Sequence, residues 1–466
     1  MELKNYNKLI SISADKSQIK ARKILIDLYK VAVESVCPQN IIQNHLKYKI
    51  KDKILIIDND QYSVESRKIW IIGAGKAVGG MAKTLEMIFI DLDYSGIICI
   101  PEGIKELLNL KKIHCLESSH PLPSDRNIKN TKQILEFIKN IKSKDLVITL
   151  LSGGGSSMWI TPISPITIND MVILNQLLLK SGMSIHEINV VRKHVSEIKG
   201  GKLASKIPGE VILLVLSDVI GDKLESIASG PLVPDPSTFN EAKAILQRFK
   251  LWRNSIPDSV RTVIQSGIEN KIAETLKTDD PIFKKTHSYI IGSNRIACKA
   301  AMSHASKIGL NTLLLTDKVE GEAKWVGKLF ARIYSGLAEE EKEPLLIVSG
   351  GEPIVEVLGN GIGGRNQEVA AAALIEFLSY DCIINFAFLS AGTDGIDGNS
   401  LYAGALIDNV TISLYRKNSI NIENYRSKSD LCSFFEKIGS TLLETGPTGT
   451  NVMDIHLSLI HTNKLE

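Results

Sequence analysis

Glycine-rich segments that follow apolar runs constrain the fold of this 466-residue chain more than any other feature. Glycine lets the backbone turn sharply and approach a ligand closely. An apolar run followed by a glycine loop is how α/β sheets build anion sites at the carboxyl ends of strands. Eight such segments predict a site that handles phosphate: GAGKAVGG (73–80), LSGGGSSM (151–158), RKHVSEIKGGKLA (192–204), SDVIGD (217–222), VSGGE (348–352), GGRNQE (363–368), AGTDGIDG (391–398) and TGPTGTNVMD (445–454).

Strand-like apolar runs alternate with helical or loop segments in both halves of the chain, which predicts doubly wound α/β domains. The length exceeds what one hydrophobic core usually serves, so two domains are expected. The polar stretch 276–287 carries a turn signal at Asp279–Asp280–Pro281, and the predicted domains are 1–280 and 286–466. SYIIG (288–292) is interpreted as the first strand of the second domain, and 17–36 as an amphipathic helix of the first.

Composition excludes several classes of protein. Hydrophobic residues make up 44% of the chain and charged residues 23%, with a net charge of +3, so no nucleic-acid partner is expected. The longest apolar runs are too short to span a bilayer, and the N-terminus does not read as a secretory signal. Six cysteines without a CxxC pair are expected to be buried free thiols, which fits a cytoplasmic protein.

The first half offers candidate anion-binding loops. GAGKAVGG, with Gly73 and Gly75, is expected to place Lys76 at a helix N-terminus facing an anion. Two alternatives stay open, a tight turn with a surface lysine and a dinucleotide-binding loop, although the G-x-G-x-x-x-G spacing differs from that fingerprint. The glycine run after the strand at 145–151 is predicted to form a phosphate nest rather than to serve packing, and its residues are Ser152, Gly153, Gly154, Gly155 and Ser156.

Charged residues elsewhere extend this set. Arg192 and Lys199 are interpreted as contacts to nucleotide phosphates, and Asp218, at a strand end, as a metal ligand or base. His194, in the same basic segment, is interpreted as structural. Arg365 opens a helix, where its charge opposes the helix dipole, so it is expected to need a compensating anion, which favours a substrate or γ-phosphate group as its partner. The second half also supplies Glu352, Asp394, Asp397 and Asn451, the acids being suited to Mg²⁺ or to general-base work.

Three of these segments, GGRNQE, SAGTDGIDG and TGPTGTNV, together resemble the glycerate 2-kinase family, also called the MOFRL family, from about residue 18 to about residue 460. The resemblance implies two Rossmann-like domains with the active site in the cleft between them. It also implies transfer of the γ-phosphoryl group of ATP to the 2-hydroxyl of (R)-glycerate, with Mg²⁺ as cofactor. The alternatives left open are an NAD(P)H-dependent hydroxypyruvate reductase and a non-catalytic binder of sugar acids or nucleotides.

Combined with the loop analysis, the resemblance implies roles for individual residues. Catalysis is assigned to Lys76, Arg365, Asp394 and Asp218, with the general base left open between the two aspartates. Metal binding is assigned to Asp218, Glu352 and Asp394, and nucleotide binding to Gly73, Gly75, Ser152, Gly153, Gly154, Gly155, Ser156, Arg192, Lys199, Glu352 and Asn451. Glycerate and ATP are the expected small-molecule partners, with a homodimer as the expected assembly. NSLY (399–402) and Met453 depart from the family pattern.

Overall fold

The computed structural model describes residues 1–11, 15–253, 255–379, 384–439 and 441–465. Within them, contacts divide the chain into two compact units, 41–291 and a second unit made of 1–40 with 292–466. We call these the N-terminal unit and the C-terminal unit. Their strands are β1 Leu46–Lys49, β2 Ile54–Ile57, β3 Asp60–Ser63, β4 Ile69–Ala74, β5 Tyr94–Pro101, β6 Ile113–Ser118, β7 Leu146–Leu151, β8 Glu210–Leu216, β9 Thr286–Gly292, β10 Asn311–Val319, β11 Leu345–Gly351, β12 Phe386–Gly392, β13 Gly404–Asp408, β14 Leu442–Leu443 and β15 Asp454–Ile460.

Helices surround these strands. They are α1 Tyr6–Ile10, α2 Lys16–Ser35, α3 Pro38–His45, α4 Val78–Ile88, α5 Lys105–Leu108, α6 Asp125–Ile138, α7 Gly155–Met158, α8 Ile168–Lys180, α9 Ile185–His194, α10 Phe239–Arg248, α11 Asp258–Ile268, α12 Asn294–Lys307, α13 Ala323–Glu340, α14 Arg365–Ser379, α15 Asn409–Asn418, α16 Glu423–Arg426 and α17 Leu431–Ile438. Within the described ranges, no helix is both long and apolar enough to cross a bilayer. The mixed α/β class predicted from the strand–helix alternation is confirmed.

The N-terminal unit contains a six-stranded sheet in the order β6-β5-β4-β7-β8-β9. Strands β4 to β8 pair in parallel, and β4 and β7 are buried along their whole length. Parallel strands covered on both faces read as continuous apolar runs, which is why the sequence revealed them. The strand order reverses at β4 and β7, and ligands of such sheets bind at the carboxyl edge beside that point. A small antiparallel sheet, β1-β2-β3, belongs to the same unit.

The structure divides the chain at different positions from those predicted. Strand β9 does not open a second domain, because it forms the edge of the first sheet beside β8. The Tyr289 hydroxyl donates to Asp60 at 2.6 Å, and His287 lies 3.1 Å from Glu210, which holds β9 in the N-terminal unit. The polar stretch before it is not a free linker, since Phe283 packs against the core of that unit.

Helix α2 confirms the amphipathic helix predicted at 17–36, but it belongs to the C-terminal unit. Arg22 is fully buried, and its guanidinium donates to both carboxylate oxygens of Asp408, at 2.6 and 2.9 Å. Asp408 is also the N-cap of α15, because it accepts from the Thr411 amide at 2.9 Å. The Tyr29 hydroxyl donates to the Gly392 carbonyl at 2.6 Å. An amphipathic pattern identifies a buried face but not the partner that covers it.

The C-terminal unit has a mixed sheet in the order β10-β11-β15-β12-β13-β14. Only β10 and β11 pair in parallel among the described strand pairs of this sheet, and β15 runs antiparallel between β11 and β12. This sheet therefore differs from the doubly wound parallel arrangement expected for the second half. Period-2 and continuous apolar runs predict strands, but they do not fix strand direction.

We expect Arg22→Ala to lower the free energy of unfolding of the C-terminal unit by about 3–5 kcal/mol, because the substitution leaves the Asp408 carboxylate buried without its charge partner. Urea denaturation followed by circular dichroism measures this. Arg416→Ala, on the exposed side of α15, is the control and should change stability by less than about 0.5 kcal/mol. An Arg22→Ala midpoint equal to that of Arg416→Ala would contradict this account.

Candidate active site

Two loops meet at the carboxyl edge of the N-terminal sheet. Gly75, at φ +145°, follows β4, and a Cβ atom there would overlap the Ser152 side chain. Ser152 Oγ accepts from the Ala77 amide at 3.0 Å, and the Lys76 amide donates to the Gly153 carbonyl at 2.9 Å. Gly75 is therefore needed for loop packing, and the buried Ser152 side chain joins the loops. Gly73 similarly leaves no room for a Cβ, which would lie 2.8 Å from the Leu150 carbonyl oxygen.

The glycine run after β7 is also packed tightly, so the expectation that it could not serve packing is wrong. A Cβ on Gly153 would overlap the Asp218 carboxylate. A Cβ on Gly154 would lie 2.9 Å from the His120 ring, and one on Gly155 would lie 3.0 Å from the Ala228 side chain. These three glycines therefore allow the Asp218 carboxylate, the His120 imidazole and the loop that contains Ala228 to lie close to the same backbone segment. Its role as a phosphate nest stays a prediction.

Asp218, Lys76 and His120 interact electrostatically at this edge. Burial raises the pKa of the Asp218 carboxyl, and the charge of Lys76 partly opposes that rise. Partial burial lowers the pKa of His120, and Lys76 lowers it further. Lys76 itself is exposed. His120 was missed by sequence analysis, although it lies two residues after the end of β6. Its position just after a strand is the signal from which sequence analysis could have identified it as a site residue.

A cavity of about 220 Å³ lies beside the glycine run. Four predicted site residues line it, namely Gly154, Ser156, Arg192 and Lys199, together with His120. Lys199 is 3% exposed, and its ammonium donates to the Ser156 carbonyl at 2.6 Å. Burial lowers the pKa of Lys199 strongly, and the nearby Arg192 charge adds to the effect. The described lining residues include no acidic side chain, so the cavity is suited to an anion.

Neighbouring basic residues have structural partners instead. Lys193 forms a buried ion pair with Asp235 at 3.1 Å. His194 lies 2.7 Å from the Val190 carbonyl and 2.8 Å from Glu274, which supports its interpretation as structural. The basic segment 192–204 therefore contains cations that pair with acids and, facing the cavity, two cations without an acidic partner among the described contacts.

In the C-terminal unit, Arg365 is held between two carboxylates. Its guanidinium donates to Asp454 at 2.5 and 3.0 Å and lies 2.9 Å from Glu352. These acids raise the pKa of Arg365 above its ordinary value. The compensating anions are therefore protein carboxylates, whereas sequence analysis expected a substrate or γ-phosphate group in that place. Asp454 was missed as a site residue, although it ends TGPTGTNVMD, because its role depends on the register of β15.

The two acids of AGTDGIDG differ in their surroundings. Asp397 is buried and accepts from the Asn366 and Gln367 amides, each at 2.9 Å, so it neutralises the N-terminus of α14. Burial raises the pKa of Asp397 to about 7, although those two hydrogen bonds lower it. Asp394 is half-buried, and its carboxylate accepts from the Ile396 amide at 3.1 Å. Asp397 is thus a capping residue, and a chemical role for Asp394 stays a prediction.

Asn451 stabilises its own turn, since its side-chain oxygen accepts from the Met453 amide at 2.9 Å. Met453 has φ +70°, a conformation that asparagine adopts more readily than methionine, so this departure from the family pattern carries a backbone cost. The NSLY departure has a local function. Asn399 in that segment accepts from the Gly363 amide at 2.9 Å and donates to the Gly361 carbonyl at 3.1 Å.

The described residues do not provide a complete set of protein ligands for a metal ion. Among the described residues, no group of three His, Cys, Asp or Glu side chains is arranged to hold a metal ion. Glu352 pairs with Arg365, which competes with a metal for its oxygens. Mg²⁺ in phosphoryl-transfer sites commonly uses only one or two carboxylates together with substrate phosphates. A site built from protein carboxylates alone does not fit the described residues, and Mg²⁺ binding by the assigned acids stays a prediction.

Comparison with known proteins decides the family. A domain of unknown function (DUF4147) matches residues 24–265, and the MOFRL family matches 345–454. A glycerate 2-kinase from Pyrococcus horikoshii is 36% identical over 447 residues, which are 95% of this chain and 98% of that protein. The chain belongs to the glycerate 2-kinase family. A D-glycerate 2-kinase from Thermotoga maritima is 33% identical over 443 residues, which are 94% of this chain and 98% of that protein.

A solved structure supports the family fold. The crystal structure of a glycerate kinase from Thermotoga maritima matches with a TM-score of 0.81 and 33% identity, over 94% of this chain and 99% of that chain. The glycerate 2-kinase family thus shares both sequence and fold with nearly the whole of this chain. The matched MOFRL range contains GGRNQE and AGTDGIDG and ends on Asp454.

We expect Asp454→Asn to lower kcat roughly 10- to 100-fold, because the amide cannot hold both nitrogens of the Arg365 guanidinium in place. Since Arg365 is expected to act on the transition state, kcat and kcat/KM should fall together. Steady-state kinetics with ATP and D-glycerate measures this. Glu436→Gln, an exposed change in the same unit, should leave both parameters unchanged. A wild-type kcat for Asp454→Asn would remove Asp454 as the positioning residue of Arg365.

Proposed function

We propose that this chain transfers the γ-phosphoryl group of ATP to the 2-hydroxyl of (R)-glycerate, giving 2-phosphoglycerate and ADP. One observation carries the proposal, the similarity over 95% of the chain to a protein named glycerate 2-kinase. The chain also spans 98% of that relative and of the Thermotoga maritima D-glycerate 2-kinase, so the activity of the whole relative can be carried over.

In the N-terminal unit, Lys76 and Asp218 are proposed to take part in the transfer. The Lys76 ammonium would offset negative charge that develops on the phosphoryl oxygens. Asp218 is half-buried just after β8, and burial raises its pKa, which makes its carboxylate a stronger base. Asp218 would therefore position and deprotonate the glycerate hydroxyl, or else bind the metal. Asp394 is the other candidate for either role.

In the C-terminal unit, Arg365 is proposed to stabilise transition-state charge, with its planar guanidinium fixed by Asp454 and Glu352. A fixed donor needs no reorganisation at the moment of reaction, which is the advantage of a preorganised site. Asn451 and Glu352 are the residues of this unit that are expected to bind nucleotide. Asn451 would do so by stabilising its turn, and Glu352 by holding the Arg365 guanidinium.

The cavity lined by Arg192 and Lys199 is proposed to hold an anionic group of a substrate, with Ser156 and Gly154 at its wall. A buried lysine without an acidic neighbour is costly to keep charged, so a bound anion would stabilise its protonated form. Nucleotide phosphate is the anion expected from the sequence. The glycine run that follows β7 would then set the shape of the cavity, since its glycines admit the neighbouring side chains.

Mg²⁺ is proposed as the cofactor, and when bound it would neutralise charge on the phosphate oxygens. Asp218, Glu352 and Asp394 are the carboxylates assigned to it, with Glu352 the weakest candidate because it pairs with Arg365. We also propose a cytoplasmic location and a homodimer. Five described cysteines are free thiols, in keeping with a reducing compartment, while Cys382 lies outside the described residues.

A reductase is the second candidate function, because a relative from Agrobacterium vitis with a provisional hydroxypyruvate reductase name is 34% identical over 452 residues. The sheet order of the N-terminal unit is also that of dinucleotide-binding domains. In such domains the glycines of the first loop admit the pyrophosphate. Here Ser152 occupies the space beside Gly75, which argues against a dinucleotide there.

We expect purified protein with ATP, Mg²⁺ and D-glycerate to form 2-phosphoglycerate, detected by coupling to enolase without a mutase. Excess EDTA should stop turnover, and added Mg²⁺ should restore it. Hydroxypyruvate with NADH or NADPH serves as the control for the reductase and should give no oxidation of the nicotinamide. A product visible only after a mutase is added would mean phosphorylation of the 3-hydroxyl. That result would contradict the proposed regiochemistry.

A further inference from the structure

A second cavity, of about 480 Å³, lies within the C-terminal unit and outside the groups assigned above. Its wall includes Gly361, Gly363 and Gly364, the turn that leads directly into Arg365, and the neighbouring Gly398–Asn399 segment. The volume lies in the range of about 300–1,000 Å³ that is usual for small-molecule sites. Two family motifs thus contribute to this cavity, and none of the assigned roles uses it.

The mouth of the cavity carries exposed apolar side chains. Trp325 is 59% exposed, Val357 73% and Leu358 59%, and all three line the cavity. Large apolar groups clustered at the rim of a concave site mark a binding surface rather than ordinary protein surface. An indole beside aliphatic side chains offers a stacking platform for a flat ring.

Two polar side chains of the same cavity are buried and incompletely bonded. Arg426 and Glu368 are each 8% exposed, and Arg426 Nε lies 2.7 Å from Glu368 Oε1 without the alignment of a hydrogen bond. The Arg426 Nη1 atom donates to Glu423 at 2.7 Å. Arg426 Nη2 and Glu368 Oε1 have no hydrogen-bond partner among the described residues. Glu368 Oε1 keeps its ion pair with Arg426, but buried donors nearly always have hydrogen-bond partners, so Arg426 Nη2 is the atom available to a ligand.

We propose that this cavity binds the purine base of the phosphoryl donor, with the ring stacked on Trp325. A purine edge places ring-nitrogen or carbonyl acceptors beside N–H donors, which complements a guanidinium next to a carboxylate. Arg426 Nη2 donates to the purine acceptor, and Glu368 accepts from its N–H. The identification of the ligand as a nucleotide rests on the proposed kinase function. The shape of the cavity and the unpaired Arg426 donor are independent of that function.

Intrinsic fluorescence tests the stacking directly, because the chain has four tryptophans and each can be replaced separately. ATP and GTP should quench wild-type fluorescence, whereas tripolyphosphate, which lacks a base, should not. Trp325→Leu should abolish the quench and raise the KM for ATP roughly 5-fold or more, the low end of base-stacking effects. The KM for glycerate should change less than about two-fold. Trp252→Phe, in the N-terminal unit, is the matched control and should preserve the quench and both constants.

Arg426→Lys provides a second variant, because it keeps the buried positive charge and removes the forked donor. It should raise the KM for ATP without changing the KM for glycerate. Wild-type quenching and KM for ATP in both variants, in an enzyme that phosphorylates glycerate, would overturn the proposal. A Trp325→Leu protein that instead changes only its oligomeric mass would identify the cavity mouth as an interface and overturn it too. If wild type forms no 2-phosphoglycerate, the kinase assignment fails, while nucleotide quenching still decides the binding site.

Discussion

Close approach of backbone segments at the carboxyl ends of the strands is the constraint on which the candidate site depends. Gly75 admits the Ser152 side chain, Gly153 admits the Asp218 carboxylate, and Gly364 admits Asp397. A β-carbon at any of these positions would displace a polar group from its place. The glycine-rich motifs therefore do more than provide flexible loops. Because they lack side chains, they leave room for polar side chains to pack in fixed positions at the sheet edge.

The charges held in this way differ in how they are neutralised. Arg365 is clamped by two carboxylates, and Arg22 is locked to Asp408, so both are fixed cations. Lys199, in contrast, is buried against neutral oxygens, and burial lowers its pKa. A fixed cation suits a preorganised electrostatic role, whereas an uncompensated one suits a ligand that brings its own negative charge. This contrast is the basis for proposing a transition-state role for Arg365 and an anion-binding role for the cavity that Lys199 lines.

Sequence analysis predicted strands β4, β7 and β8 and the loops that follow them, because buried strands and glycine turns are local signals. It did not predict that α2 belongs to the C-terminal unit, because an amphipathic pattern does not show which element packs against the apolar face. Asp454 and His120 were missed because their roles depend on which strands lie side by side. The antiparallel course of β15 was missed for the same reason, and so was the edge position of β9.

Gly153→Ala tests most directly whether close packing fixes the reactive groups. Gly153 has an ordinary backbone conformation, so the added methyl group acts only by displacing Asp218. The account predicts a fall in kcat of roughly 100-fold, the scale of a misplacement by about 1 Å, with an unchanged circular dichroism spectrum. Gly336→Ala, where a Cβ meets open space, should leave kcat unchanged. A Gly153→Ala enzyme with wild-type kcat would contradict the central claim.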